Sequence, residues 1–150
     1  MKTLRKHNRN KKTRSLRRNT QNFEQEIVLQ FLHMLVTVKL YHWKTHDFAN
    51  HKATDELYGK LNEGIDKFVE ILLGKTGGRV NLTHVRSLPI CDFTSLEQMK
   101  REIEKYKSYL IGLDSNKAMK SPHMINSDLF NVRDEILGDL NQYLYLSTLH

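Results

Sequence analysis

Apolar residues return every three or four positions in four separate stretches of the chain, the repeat expected of helices that bury one face and leave the other to water. In the first, Phe31, Leu35, Val38 and His42 follow at intervals of four, three and four, which predicts helix A over about Asn22 to His46. In the second, Tyr58, Leu61, Ile65, Phe68 and Leu72 predict helix B from about Phe48 to Leu73, with Gly74 as its stop. Leu96, Met99, Ile103, Tyr106, Leu110 and Leu113 give helix C the cleanest repeat, opened by Thr94 or Ser95 as N-cap. After a polar loop holding Ser121 and Pro122, the residues Leu129, Val132, Ile136, Leu140 and Tyr143 predict helix D over about Asn126 to Thr148. No stretch alternates as a strand would.

The links between these helices carry the topology. Only a tight corner separates A from B, and the C-D link is short. Lys75 to Thr94, with Gly77, Gly78 and Pro89 and no sustained period, is long enough to travel the length of a bundle. Short, long and short links describe an all-α four-helix bundle with one long B-C crossover, the ferritin-like connectivity; an ordinary up-down bundle is the alternative. A chain of 150 residues can bury a core of this kind as one domain without disulfide or zinc staples.

Charge changes the picture at one end. Of the 24 Lys and Arg residues, nine fall in Met1 to Thr20, which has no Asp or Glu, and the rest of the chain is slightly acidic. That first segment has almost nothing to bury, so ordering it costs more entropy than its contacts return. The expected organisation is a disordered basic tail over 1–20 followed by the bundle over 21–150. Lys2, Arg5, Lys6, Arg9, Lys11, Lys12, Arg14, Arg17 and Arg18 suit contact with phosphates of DNA or RNA, and a solubilising arm is the plainer alternative. With no aromatic residue among them to stack on bases, such binding would not depend on sequence.

Cys91 is the single cysteine, which excludes an intrachain disulfide and the usual Cys-rich zinc set and fits a reducing compartment. No signal-peptide core follows the early basic residues, and the apolar run Ile27 to Leu40 is broken by Gln30, His33 and Lys39. A soluble protein without a membrane partner is expected, in the cytoplasm or on the nucleoid.

The candidate chemistry lies on helix B. At about 100° per residue, His51, Asp55, Asp66 and Glu70 fall within an arc of roughly 100°, as two i, i+4 pairs. Eleven residues separate Asp55 from Asp66, which at about 1.5 Å per residue is roughly 16 Å, so one chain cannot bring both pairs to one ion. Two copies of helix B packed antiparallel about a two-fold axis would set His51 and Asp55 of one chain against Asp66 and Glu70 of the other, making two equivalent sites. His42, beside the corner, could add an imidazole. A mixed nitrogen and oxygen set suits iron(II), and also manganese or zinc. On spacing alone, a solvated helix face with local charge pairs is the simpler account.

His42-Trp43, Phe48, His51, Asp55, Leu61, Ile65-Asp66 and Glu70 together resemble the ferroxidase signature of the Dps miniferritins, and the spacing His51-x3-Asp55-x10-Asp66-x3-Glu70 is similar to theirs. Asn141 to Leu149, with Tyr145, resembles their closing segment. The corner from His42 to His51 is shorter than is usual in that family and lacks its glycine. This corner, with Tyr41 to Thr45 and Asp66 to Glu70, also resembles uncharacterised Dps-like proteins of large DNA viruses.

The resemblance implies a hollow homo-oligomer, a dodecamer in the family. Iron would bind at its two-fold interfaces through His42, His51 and Asp55 of one chain and Asp66 and Glu70 of the next. Hydrogen peroxide or dioxygen would oxidise it, while the tails hold nucleic acid. The viral likeness implies an alternative, a non-enzymatic, virion-associated or nucleic-acid-packaging structural protein on the same bundle.

Other residues carry plainer expectations. Trp43 is expected to pack with its indole N–H satisfied nearby. His33, His46, His84, His123 and His150 lack comparably spaced acidic partners and are expected not to be ligands. Glu135 and Asp139, with Asp134 adjacent, are i, i+4 on helix D, but no Glu-x-x-His motif accompanies them.

Overall fold

The computed structural model describes residues 2–120 and 125–149, with side-chain surroundings from Thr20 onward. Among the described residues there are four α-helices, α1 (Lys2–Lys44), α2 (Phe48–Thr76), α3 (Leu96–Gly112) and α4 (Ser127–Leu146), a 3-10 turn at Leu113–Ser115, and no strand. None of these helices is long and apolar enough to cross a membrane.

Three boundaries show what local chemistry decides. Ser95 caps α3 through a reciprocal box: its hydroxyl accepts the Gln98 N–H at 3.3 Å, and the Gln98 side-chain oxygen accepts the Ser95 N–H at 3.2 Å. α2 runs through Gly74, the expected stop, and ends at Gly77, whose φ of +68° is the left-handed turn that glycine takes without strain. The added turn is held from outside, because Lys75 donates to the Ile125 carbonyl at 2.6 Å and pairs with Asp128 at 3.0 Å.

The third boundary is the start of α1, which lies at Lys2 where the apolar repeat predicts helix A from about Asn22. No Gly or Pro interrupts residues 2–44, and a helix nucleated where Phe23 and Ile27 pack can propagate outward through Lys, Arg and Leu, which are good helix formers. The side chains of the nine basic residues from Lys2 to Arg18 lie outside the described residues.

The predicted core stripes of α2, α3 and α4 are buried almost throughout, Tyr58 and Leu96 being half-buried at their edges. Leu57 takes the inward place beside Tyr58. On α1 the predicted Phe31, Val38 and His42 are buried together with Phe23, Ile27, Met34 and Tyr41, and Leu35 sits at the flank. Phe31 meets Phe68 edge to face, ring centroids 5.2 Å apart.

Cross-helix contacts give each helix an antiparallel neighbour. Lys60 reaches Asp139 and Gln142, Lys67 reaches Glu135, and Lys75 reaches Asp128, so α2 and α4 run oppositely. His33 meets Tyr106 across α1 and α3, and Arg133 of α4 donates to the Leu110 carbonyl at the end of α3. α2 and α3 therefore run parallel, and the segment joining them must return along the bundle. It does so beside α1, where Gln25 donates to the Asn81 carbonyl and Lys44 pairs with Asp92. Gln25 and Lys44 are about 28 Å apart along a helix rising about 1.5 Å per residue.

The α2–α4 approach is closest at Gly64, where a Cβ would meet Ile136 Cγ1 at 3.0 Å. Gly64→Val is expected to destabilise the fold by about 1–3 kcal/mol through overpacking. Urea unfolding should show part of that loss recovered when Ile136→Ala, which removes Cγ1 and costs about 2–5 kcal/mol alone, is added; strict additivity would place the strain elsewhere.

Candidate metal centre

The α1–α2 corner is only Thr45 to Asp47, and Asp47 opens α2 by accepting the Asn50 N–H at 2.7 Å. So tight a turn sets the last turn of α1 against the first turn of α2. The imidazoles of His42 and His51 stack there, centroids 4.0 Å apart and planes 24° from parallel.

Each ring also reaches the other residue's backbone. His42 Nδ1 lies 3.0 Å from the His51 carbonyl oxygen, and His51 Nδ1 lies 3.0 Å from the His42 carbonyl oxygen. A carbonyl can only accept, so each Nδ1 carries the proton and donates it. In the neutral rings both Nε2 atoms are thereby left as lone-pair donors, the arrangement in which metal-binding histidines are usually held. The His42 carbonyl belongs to the last turn of α1 and has no onward helical partner, so the His51 ring also caps that helix. Thr54, fully buried, closes the cluster, its hydroxyl donating to the Asn50 carbonyl at 2.7 Å.

Asp55 completes the group. His42 Nε2 is 3.7 Å from Asp55 Oδ1, and Lys39 Nζ is 3.6 Å from the same oxygen. The same ammonium also lies over the Tyr58 ring, 4.6 Å from its centroid. His42 is only 7% exposed, His51 is half-buried and Asp55 is open to solvent.

The fold brings together three of the five predicted ligands, His42, His51 and Asp55. Asp66 and Glu70 lie farther along α2, both exposed and paired with no cation among the described residues. One chain thus offers a nitrogen-rich half and a carboxylate half, pointing outward from the same helix at the separation expected from its rise.

Several plainer expectations change. Trp43 is 70% exposed, because it falls one position past the buried face at the very end of α1. Glu135 pairs with Lys67, and Asp139 with Lys60, across the α2–α4 groove. Burial raises the Asp139 carboxyl and Lys60 partly offsets that shift. His46 and His84 are exposed, while His123 and His150 lie outside the described residues. Sequence spacing passed over His33, which the fold brings against Cys91 of the crossover.

Residues 42–146 match DUF5856, a family of unknown function. The chain belongs to DUF5856. The DUF5856 region takes in all five candidate ligands and leaves out the basic segment. No curated protein and no solved structure matches the chain.

If the rings act as reciprocal donors, His51→Phe keeps an aromatic ring against His42 but strands the His42 carbonyl. Without metal, a loss of about 1 kcal/mol in urea unfolding is expected; a variant as stable as the wild type would remove that donor role.

Proposed function

We propose that this DUF5856 protein is a Dps-like miniferritin, a homo-oligomer that binds iron(II) across a two-fold contact between α2 helices, oxidises it, and holds nucleic acid through its basic segment. The observation that carries this reading is the His42–His51 pair, with both Nδ1 protons committed to carbonyls and both Nε2 atoms left beside Asp55.

Four further features support it. Parallel α2 and α3, joined by a crossover that returns along α1, match the ferritin-like connectivity. Asp66 and Glu70 are exposed, without a cationic partner among the described residues, and on the face of α2 that carries Asp55. Midway between the two half-sites, the outward residues are Gly59 and Asn62, and nothing lies within 4 Å of where a Gly59 Cβ would be, so a second helix can approach closely. Beside this face an apolar groove of about 430 Å³ is lined by Leu32, Val36, Leu40, Trp43, Tyr58 and Ile90, surface that an oligomer would cover.

Iron here is substrate. The imidazoles and Asp55 would hold it on one side and the partner's carboxylates on the other. Hydrogen peroxide takes one electron from each of two iron(II) ions, its O–O bond breaks, and with two protons it leaves as two waters. No hydroxyl radical is released.

Peroxide-driven oxidation of iron(II), followed by absorbance while light scattering reports mass, tests the reading. The wild type is expected to form an oligomer and oxidise iron. Asp66→Asn/Glu70→Gln should keep the oligomer and slow oxidation at least about tenfold. Gly59→Arg, which touches no ligand, should lose both. Equal rates in all three proteins would sink the ferroxidase assignment.

The basic segment is tested separately. Deleting residues 1–18 should abolish salt-sensitive DNA retention, whose log K falls with log salt by about 0.9 per phosphate contacted. Retention unchanged by the deletion would remove the segment from the function.

A further inference from the structure

A second group of ligating side chains lies where the crossover passes the seam between α1 and α3. Cys91 Sγ of the crossover is 3.4 Å from His33 Nε2 of α1, and with a carboxylate oxygen of Glu102 from α3 the three ligand atoms all lie within 4.8 Å of one another. The other ring nitrogen, His33 Nδ1, is 3.0 Å from the hydroxyl of fully buried Tyr106, which holds the ring with Nε2 turned toward the thiol. The Glu102 side chain is only 8% exposed. One of its oxygens takes Lys105 at 2.7 Å, a side chain that is itself 73% exposed and free to withdraw into water. Fully buried Thr37 has its hydroxyl beside the Cys91 thiol and the Tyr106 hydroxyl, without a well-formed hydrogen bond. A cavity of about 580 Å³, bordered by His33, Leu88, Pro89, Glu102, Lys105 and Tyr109, opens the His33 and Glu102 side of the group to solvent.

The distances suit a small tetrahedral ion. With metal–sulfur and metal–nitrogen bonds of about 2.3 and 2.05 Å, two tetrahedral ligands stand about 3.5 Å apart. Cys91 and His33 are already at 3.4 Å. A carboxylate oxygen would stand about 3.6 Å from the sulfur on such an ion, so Glu102 has to close by at most about an ångström, a side-chain rotation once Lys105 withdraws. Sulfur and imidazole select against calcium and magnesium, which take oxygen ligands. Three protein ligands, of which His33 and Glu102 line the open cavity, leave the fourth position to water, as in catalytic rather than structural zinc sites.

We propose that His33, Cys91 and Glu102 form a binding site for a zinc-type divalent metal ion, separate from the His42–His51 centre, with water from the cavity as fourth ligand. Bound metal displaces the thiol proton to solvent and ties the crossover to α1 and α3. The site does not rest on the iron reading.

Cobalt(II), which adopts zinc's coordination and absorbs visibly, is the probe. Metal-free full-length protein titrated with cobalt(II) is expected to gain a tetrahedral visible spectrum and a near-ultraviolet sulfur-to-cobalt charge-transfer band, both lost on adding zinc. Cys91→Ser should remove the charge-transfer band, and Glu102→Gln should weaken binding at least about tenfold. His42→Gln and Asp66→Asn/Glu70→Gln should leave the band unchanged. In the unmutated protein, zinc should slow alkylation of Cys91, a readout that requires no variant to fold. Absence of the charge-transfer band, or alkylation unaffected by zinc, would overturn the site and leave a thiol hydrogen-bonded to an imidazole.

Discussion

At the α1–α2 corner two imidazoles and two backbone carbonyls bond reciprocally, and much of what surrounds them follows from that lock. Each hydrogen bond is worth about 0.5–1.5 kcal/mol net, and the two share one constraint, since neither ring can turn without releasing a carbonyl. The lock supplies a partner for the end of α1, sets the approach of α2 to it, and dictates which nitrogen of each ring is bare. A corner of three residues makes it reachable, because a longer turn would let the two helix ends separate beyond the span of a histidine. A corner this short is therefore compatible with two convergent imidazoles.

The second constraint is topological. Once α1 and α2 are joined tightly and α2 packs antiparallel to α4, the chain must carry α3 back to the starting end, and the irregular crossover lies along α1 for most of its length. Ion pairs on the α2–α4 surface, such as Lys67 with Glu135, are exposed and contribute at most about 1 kcal/mol each. Alignment rests on the apolar stripes and on the absence of a side chain at Gly64. The crossover has no repeat of its own to bury, yet its path sets Cys91 over His33.

What could be read beforehand follows from the range of the forces involved. Helix existence and the inward faces of α2, α3 and α4 depend on local periodicity, and Ser95 with Gln98 is a local capping signal, so these are visible along the chain. On α1 the predicted Phe31, Val38 and His42 face inward and only Leu35 yields its place to Met34, because neighbouring residues there are all apolar and packing alone decides which turns in. Gly74 and Gly77 are equivalent as letters; the anchoring of Lys75 by residues fifty positions away selects the later one. His33 has no acidic neighbour at helical spacing, and its partners come from an aperiodic loop and another helix, where no sequence pattern points.

The division of the candidate iron site into two halves has an energetic logic. Asp66 and Glu70 are exposed in the single chain, so their charges stay hydrated and cost the monomer nothing, whereas bringing them against a partner's Asp55 without a cation would set like charges together in a drying interface. Lys39, beside Asp55, offsets part of that repulsion. On the proposed reading, a divalent cation then favours the paired state over the separated one, and by reciprocity pairing raises the affinity for the cation. The apolar groove beside α2 supplies attraction that needs no metal, so the balance between groove and carboxylates sets whether association precedes iron or waits for it.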